Sequence, residues 1–286
     1  MRRTTIIALS CLLLLLSFSG TGMCREGVSP GITRNYLVYD PRTKLAYNGF
    51  RIVYPAYEAI ISVSEMWGYY SFELLMAGER VVYTRQFRAV DPGTAETVFS
   101  ATEFHKPQSN EFQILEWPGE IQWKIAAGLK KEINYGGGIV FEPNRISLTD
   151  AWVWLADTNA TAVPSVLELG VPLLTGCCFQ ARLFDGAAVS GTIPSNLPEK
   201  PTCFAGGTGN RSIREITFDT KKGKVKMTLL PDAYSDIADL DGLQLSTQLI
   251  KGRKPEERQY EFINRVPAGP KGLPRSYTVI FEFPEN

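Results

Sequence analysis

Apolar residues recur at every second position in two neighbouring stretches of the chain, and this spacing constrains the fold most strongly. The first stretch contains Ile216 and Phe218, and the second runs from Val225 through Met227 to Leu229, with polar residues between the apolar ones. A period of two places one face of a strand in the core and the other in water. Between the stretches, 220–223 reads Thr-Lys-Lys-Gly and is typical of a turn. The pattern therefore predicts a β-hairpin.

A glycine-rich stretch, Gly206-Gly207-Thr208-Gly209, precedes this hairpin and invites comparison with a phosphate-binding loop. Such a loop binds anions because it lies between a strand and a helix, whose N-terminal N–H groups face the phosphate. Here a strand pattern follows instead, and Ser212 occupies the position of the third glycine of the dinucleotide fingerprint. The stretch is interpreted as a loop that leads into the hairpin, which disfavours a nucleotide enzyme.

Short strand patterns dominate the rest of the chain. Two further hairpins are predicted, one about Ala77-Gly78-Glu79 and one about Trp117-Pro118-Gly119. Only 57–67 and 231–240 have patterns compatible with a helical turn or two. Many short strands with regularly spaced turn signals favour an all-β sandwich or barrel over a βαβ fold. No repeat or obvious linker divides the chain, so we expect one domain over 24–286.

The N-terminus has the pattern of a secretory signal peptide. Two arginines at positions 2 and 3 precede an apolar run from Ile6 to Phe18, and small residues follow. The run is short for a membrane span, and this order of segments is that of a cleaved signal. We predict a signal peptide over 1–23, no transmembrane span, and a protein exported to the periplasm, the outer envelope or the medium. Mass spectrometry of the exported protein, with an N-terminus expected between Ser19 and Arg25, tests this.

Cys24 lies where a bacterial lipoprotein carries its acylated cysteine, so it is a candidate lipid anchor. Met23 departs from the small residue that normally precedes such a cysteine. The chain has 30 basic and 30 acidic residues and no basic stripe, which argues against a nucleic-acid partner.

Three further cysteines, Cys177, Cys178 and Cys203, belong to the predicted exported chain. Adjacent residues of a strand point to opposite faces, so Cys177 and Cys178 cannot both reach Cys203 easily. In an oxidising compartment one disulfide from Cys203 is expected, and Cys178 and Cys203 are the candidate pair. Neither C-x-x-C nor histidine spacing is present, so we predict no zinc site, and no cofactor motif was found.

The second half of the chain resembles the large two-sheet β-sandwich modules of the galactose-mutarotase-like class, which occur in exported bacterial glycoside-degrading proteins. The resemblance lies in the order of "VPSVLELGVPLLTGCCFQARL", the glycine-rich stretch, "IREITFDTKKGKVKMTL" and the final "SYTVIFEF". It implies a large antiparallel two-sheet sandwich with few helical turns, and a carbohydrate context. Epimerases of this class use a pair of histidines and a carboxylate, whereas this chain has one histidine, His105. The departure argues against mutarotase activity.

Two carboxylates on either side of a glycosidic bond would suffice for a glycosidase. Glu116 and Glu120 flank the predicted turn at Trp117-Pro118-Gly119 and are the weak candidates for such a pair. The motif G-x-S-x-G at 27–31 directly follows the signal pattern and contains a proline, so it lacks the strand-turn-helix context of a nucleophile elbow.

Exposed aromatic rings stack on the C–H faces of sugars, while polar neighbours bind the hydroxyl groups. Trp117 on its turn, with Trp67 and Tyr70 in an aromatic cluster, are the candidate ligand-binding residues. We therefore expect an exported carbohydrate-associated module that binds glycans without a complete catalytic site. Two alternatives stay open: a polysaccharide hydrolase or lyase, and an envelope protein that serves a structural or protein-interaction role.

Overall fold

The computed structural model describes 31–40, 45–64, 69–84, 88–90, 97–100, 112–117, 120–129, 133–156, 161–163, 167–169, 171–196, 202–232, 241–248, 259–267 and 271–284. Within these residues nearly all regular structure is β. The strands are β1 (Gly31–Asp40), β2 (Leu45–Val53), β3 (Glu58–Ser64), β4 (Tyr69–Met76), β5 (Glu79–Thr84), β6 (Arg88–Val90), β7 (Thr97–Ser100), β8 (Phe112–Trp117), β9 (Glu120–Leu129), β10 (Ile133–Glu142), β11 (Arg145–Trp154), β12 (Thr161–Val163), β13 (Leu167–Leu169), β14 (Cys178–Leu183), β15 (Ala188–Thr192), β16 (Cys203–Gly207), β17 (Ile213–Thr220), β18 (Gly223–Pro231), β19 (Asp241–Gln248), β20 (Gln259–Pro267) and β21 (Pro274–Glu282). One α-helical turn, α1 (Val171–Leu174), and a 3-10 turn at Gly209–Arg211 complete the described elements.

The strands form two antiparallel sheets. A nine-stranded sheet has the order β15-β14-β17-β18-β21-β11-β10-β9-β8. A twelve-stranded sheet has the path β1-β2-β3-β4-β5-β13-β20-β12-β6-β7, with β19 pairing β20 and β16 pairing β19. The predicted all-β, two-sheet sandwich is confirmed.

The predicted hairpin is β17–β18. Phe218 pairs with Val225 and Ile216 with Met227, and all four side chains are buried. At the turn, Gly223 has a φ of 129°, which a residue with a Cβ adopts only under strain. The alternation in the sequence thus specified both the register and the buried face.

Two stretches differ from the sequence-based expectation. The first part of 57–67 is strand β3 rather than a helical turn, because its residues pair with both β2 and β4 and alternate between buried and half-buried. Gly206 and Gly207 belong to β16, so only the 3-10 turn that follows them is irregular. In both places cross-strand pairing decided the conformation, and that pairing is invisible in a local pattern.

The inner rows of the two sheets pack into one core. Ile52, Ile61 and Phe72 belong to the twelve-stranded sheet, and Phe141 and Phe281 to the nine-stranded sheet, and all five are within one buried cluster. Burying a side chain of this size stabilises the fold by roughly 1.5–3 kcal/mol. The sandwich therefore depends on contact between the sheets.

Two tyrosines add polar contacts between the sheets. Tyr54 and Tyr57 lie in the β2–β3 turn, and their hydroxyls donate to the carbonyls of Phe141 (3.3 Å) and Glu142 (2.7 Å) at the end of β10. The Tyr57 ring also stacks on Phe283, with ring centroids 4.9 Å apart. Burial, with smaller contributions from Tyr54 and Glu142, raises the pKa of Tyr57 far above its usual value. The phenol therefore stays a neutral hydrogen-bond donor.

A buried ion pair joins the end of β18 to β21. Arg275 Nε lies 3.0 Å from Asp232 Oδ2, and the two side chains are 5% and 9% exposed. The same carboxylate oxygen accepts the Ser276 N–H at 2.8 Å, and the Asp232 N–H donates to the Ser276 carbonyl at 3.1 Å. The ion pair therefore extends the β18–β21 ladder beyond its last paired residues.

We expect Asp232→Ala to lower the free energy of unfolding by about 3–5 kcal/mol, because it leaves the Arg275 guanidinium buried without its carboxylate. The matched control is Arg182→Ala, which removes an exposed ion pair to Glu215 and should cost about 0–1 kcal/mol. Urea denaturation of both variants measures the difference. Equal losses in the two variants would contradict a structural role for the buried pair.

Candidate functional site

The candidate site lies on the face of the nine-stranded sheet that points away from the core. Along β11 the even-numbered residues from Ile146 to Trp152 face the other sheet, and along β21 the odd-numbered residues from Tyr277 to Phe283 do so. Three outward-facing residues are nevertheless buried: Ala151 and Ile280 are 7% exposed and Val153 is 0% exposed. They are not part of the core cluster. The outer face is therefore shielded from solvent at these three positions, and we call these three residues the outer recess.

Hydroxyl groups surround the outer recess. Thr149 pairs with Thr278 across β11 and β21, and their Oγ1 atoms share a hydrogen bond of 2.9 Å. Ser147 and Thr228 flank Ile280 in the next row, since both pair with it. All four side chains are half-buried. Each hydroxyl can both donate and accept a hydrogen bond, so these side chains can bind either a donor or an acceptor group of a ligand.

Glycine and leucine extend the row of Thr149 and Thr278 in opposite directions. Gly138 pairs with Thr149 on the β10 side, and Leu230 pairs with Thr278 on the β18 side. A glycine inside a strand often marks a place where a ligand or another backbone approaches closely. Leu230 is a large hydrophobic side chain and is 42% exposed. The row therefore contains an exposed apolar side chain at Leu230, two hydroxyl groups in the middle, and a glycine without a side chain at Gly138.

A network of ion pairs borders this surface. Lys226 Nζ lies 3.5 Å from a carboxylate oxygen of Glu215 and 3.3 Å from one of Glu282. Glu215 also contacts Arg182 at 3.6 Å, and Arg145 contacts Glu142 at 3.7 Å. These side chains are between about one third and two thirds exposed, so each pair contributes little to stability. Their position makes them a charged margin to the hydroxyl-lined surface.

The predicted β8–β9 hairpin exists, and β8 is the edge strand of the same sheet. Trp117 pairs with Glu120, and Glu116 pairs with Ile121, whose other partner is the buried Phe141. Trp117 is therefore the last residue of β8, and Glu120 is the first residue of β9. The ligand-binding role of Trp117 and the acid–base roles of Glu116 and Glu120 stay predictions.

Of the other two aromatic candidates, Tyr70 lies in the described part of the chain. Tyr70 lies in β4 of the twelve-stranded sheet, where it pairs with Val63. Trp67 lies outside the described residues, as do His105, the signal pattern at 1–23 and Cys24. The structure therefore brings the position of Trp117, but not that of Tyr70, to the sheet that carries the outer recess.

Cys177, Cys178 and Cys203, the cysteines in the described part of the chain, are free thiols in the structure, and the disulfide between Cys178 and Cys203 stays a prediction. Cys178 Sγ lies 3.7 Å from Thr192 Oγ1, and the Cys203 thiol donates to the Ala205 carbonyl at 3.4 Å. Burial, followed by the charges of Cys178 and Asp219, raises the pKa of the Cys177 thiol to about 11. Cys177 is therefore protonated at neutral pH, whereas Cys178 is exposed.

The inner face carries polar groups of a different kind. The Tyr277 hydroxyl and Trp154 Nε1 are buried and lack hydrogen-bond partners. Burial raises the pKa of Tyr277 well above its usual value, so it remains neutral. Both side chains belong to the core cluster, so these groups face the interior of the sandwich rather than an open surface.

In the described part of the chain, no three histidine, cysteine, aspartate or glutamate side chains come close enough to hold a metal ion. The helices described there are also too short to cross a membrane.

No protein-family model and no curated protein matches the chain. Among solved structures, it is similar to galactose 1-epimerase from Lactobacillus acidophilus NCFM, at 10% identity and a TM-score of 0.47, covering 91% of this chain and 100% of that one. It is similar to 4-alpha-glucanotransferase from Thermococcus litoralis at 11% identity and a TM-score of 0.49, covering 89% of this chain and 40% of that one. It is also similar to heparan sulfate lyase from Pedobacter heparinus, at 9% identity and a TM-score of 0.48, over 84% of this chain and 35% of that one.

The chain thus spans less than half the length of the glucanotransferase and the lyase. Similarity at these identities and TM-scores assigns no activity, ligand or catalytic residue to this chain. Its fold class follows from its own strand order and shared core.

Proposed function

We propose that the protein is an exported carbohydrate-binding β-sandwich and that the outer face of its nine-stranded sheet binds the saccharide. The observation that carries the proposal is the hydroxyl pair of Thr149 and Thr278 beside the buried, outward-facing Ile280. Half-buried hydroxyl groups in one row with the exposed apolar side chain of Leu230 suit a ligand that has both C–H faces and hydroxyl groups. The sequence resemblance to galactose-mutarotase-like modules supports a saccharide as that ligand.

The chemistry of the surface favours a neutral saccharide over a strongly charged one. Lys226 is already bound by two carboxylates, Glu215 and Glu282. The groups beside the recess, Thr149 and Thr278, are neutral and can exchange hydrogen bonds with sugar hydroxyls. Leu230 offers an exposed apolar contact at the end of the same row. Export rests on the N-terminal sequence pattern alone.

We expect a glycan array to retain the protein on at least one neutral glycan. Thr149→Val should weaken that binding about tenfold, because it replaces a hydroxyl by a methyl group of the same shape. Thr217→Val, on the same outer face but opposite Lys226 in β17, is the matched control and should bind normally. The retained glycan is then incubated with the protein and examined for products.

Three outcomes of this experiment separate the candidate functions. Retention without product formation, weakened only by Thr149→Val, supports a binding module. Product release would favour the polysaccharide-acting enzyme, and Glu116→Gln and Glu120→Gln would then test its proposed acid and base. No retention on any glycan would contradict carbohydrate binding and favour the envelope protein-interaction alternative.

Trp117→Ala tests whether the edge hairpin contributes to the same surface. We expect a loss of about 1–2 kcal/mol in binding, or roughly tenfold in affinity, with little change in the melting midpoint. Trp152→Ala supplies the contrast, because Trp152 is fully buried and its removal should cost about 3–5 kcal/mol of stability. If Trp117→Ala instead destabilises the protein by a similar amount and leaves binding intact, position 117 is part of the core.

A further inference from the structure

Strand β15, which reads Ala-Val-Ser-Gly-Thr, forms one edge of the nine-stranded sheet. It pairs with β14 on one side, in a register without a bulge. Four of its five residues are exposed, and Val189 is half-buried. The other side of β15 therefore carries backbone groups that no strand in the described part of the chain pairs with.

Two backbone hydrogen bonds at the ends of β15 identify these groups. The Leu183 N–H donates to the Ala187 carbonyl at 2.8 Å, and the Ile193 N–H donates to the Cys177 carbonyl at 2.9 Å. In an antiparallel ladder, residues that bond to the neighbouring strand alternate with residues whose groups point away. Since 187 and 193 bond inward, 189 and 191 do so as well. Ala188, Ser190 and Thr192 therefore direct both N–H and C=O away from the sheet.

A close packing contact holds β15 against β14. The Phe179 ring lies across Gly191, so that a Cβ at Gly191 would be 3.0 Å from two ring carbons. Phe179 is buried in the core, and Gly191 is its partner in the ladder. Packing of an aromatic ring on a glycine pins the register of an edge strand. The outward-pointing N–H and C=O groups of Ala188, Ser190 and Thr192 therefore keep a fixed spacing along the edge.

Edge strands are usually protected from pairing by charges, proline or bulges. In the described part of the chain, β1 is an edge with a bulge between Arg34 and Tyr36, and β8 is an edge that contains Glu116. Strand β15 contains no charged residue, no proline and no bulge. Its side chains are small, so a second strand can approach along its whole length.

We propose that β15 pairs with β15 of a second copy of this chain and joins the two nine-stranded sheets into one. Antiparallel pairing about a two-fold axis at Ser190 sets Ser190 opposite Ser190 and Ala188 opposite Thr192. Every outward-pointing residue then meets another outward-pointing residue, which gives about six hydrogen bonds between the copies. An uncharged strand meets itself without like charges in opposition, and this self-complementarity favours a second copy over an unrelated partner.

The test is sedimentation velocity of the purified protein at concentrations from about 1 µM to about 300 µM. We expect the wild type to form a dimer within this range. Ser190→Lys should weaken dimerisation at least tenfold, because two lysines would face each other at the axis. Ser190→Pro removes an outward N–H without touching the β14 ladder and should have the same effect.

Gln180→Lys is the matched control, because Gln180 is the exposed ladder partner of Ser190 on β14 and carries the added charge one strand away from the edge. It should dimerise like the wild type, and all variants should keep the wild-type melting midpoint at concentrations where the wild type is monomeric. A wild type that stays monomeric throughout would overturn the proposal. So would a Ser190→Lys variant that folds and dimerises as well as Gln180→Lys, since the contact would then lie elsewhere.

Discussion

Contact between the inner rows of the two sheets is the interaction on which the rest of the structure depends. A large antiparallel sheet is stable only when one face is covered, and here each sheet covers the other with side chains such as Phe72, Trp152 and Phe281. The Tyr54 and Tyr57 hydroxyls add bonds to carbonyls of β10 across this layer. Because the core uses the inner faces, binding surfaces are left to the outer faces, the edges and the loops.

The outer face of the nine-stranded sheet carries different kinds of side chain along its length. Near the ends of β17, β18 and β21 it carries paired charges centred on Lys226, an ordinary solvated surface. Towards Thr149 and Thr278 the charges give way to hydroxyls around the outer recess. A ligand there would contact the exposed Leu230 and exchange hydrogen bonds with the half-buried hydroxyls at once, which the charged end cannot offer. The two edge strands of this sheet also differ in chemistry. Strand β8 contains Trp117, whereas the side chains of β15 are small and uncharged.

Local sequence patterns predicted the hairpin β17–β18 and its buried face, because these follow from alternation and a glycine turn. They did not predict the sheet order, since β11 and β21 pair across more than one hundred residues of chain. These patterns did not predict the outer recess either, although 279–281 are three consecutive apolar residues. Such a run indicates a strand buried on both faces. The ion pair of Asp232 with Arg275 had no sequence signal, because its partners meet only through the β18–β21 ladder.

The location of the ligand on the outer face is tested most directly by methyl NMR of isoleucine-labelled protein, titrated with the glycan that the array retains. Ile280 faces outward beside Thr228 and Ser147, whereas Ile146 and Ile216 are buried in the core between the sheets. We predict that the Ile280 methyl resonance shifts progressively with glycan while those of Ile146 and Ile216 stay in place. An unmoved Ile280 under saturating glycan, with shifts confined to the core isoleucines or to residues of the twelve-stranded sheet, would contradict binding at the outer recess.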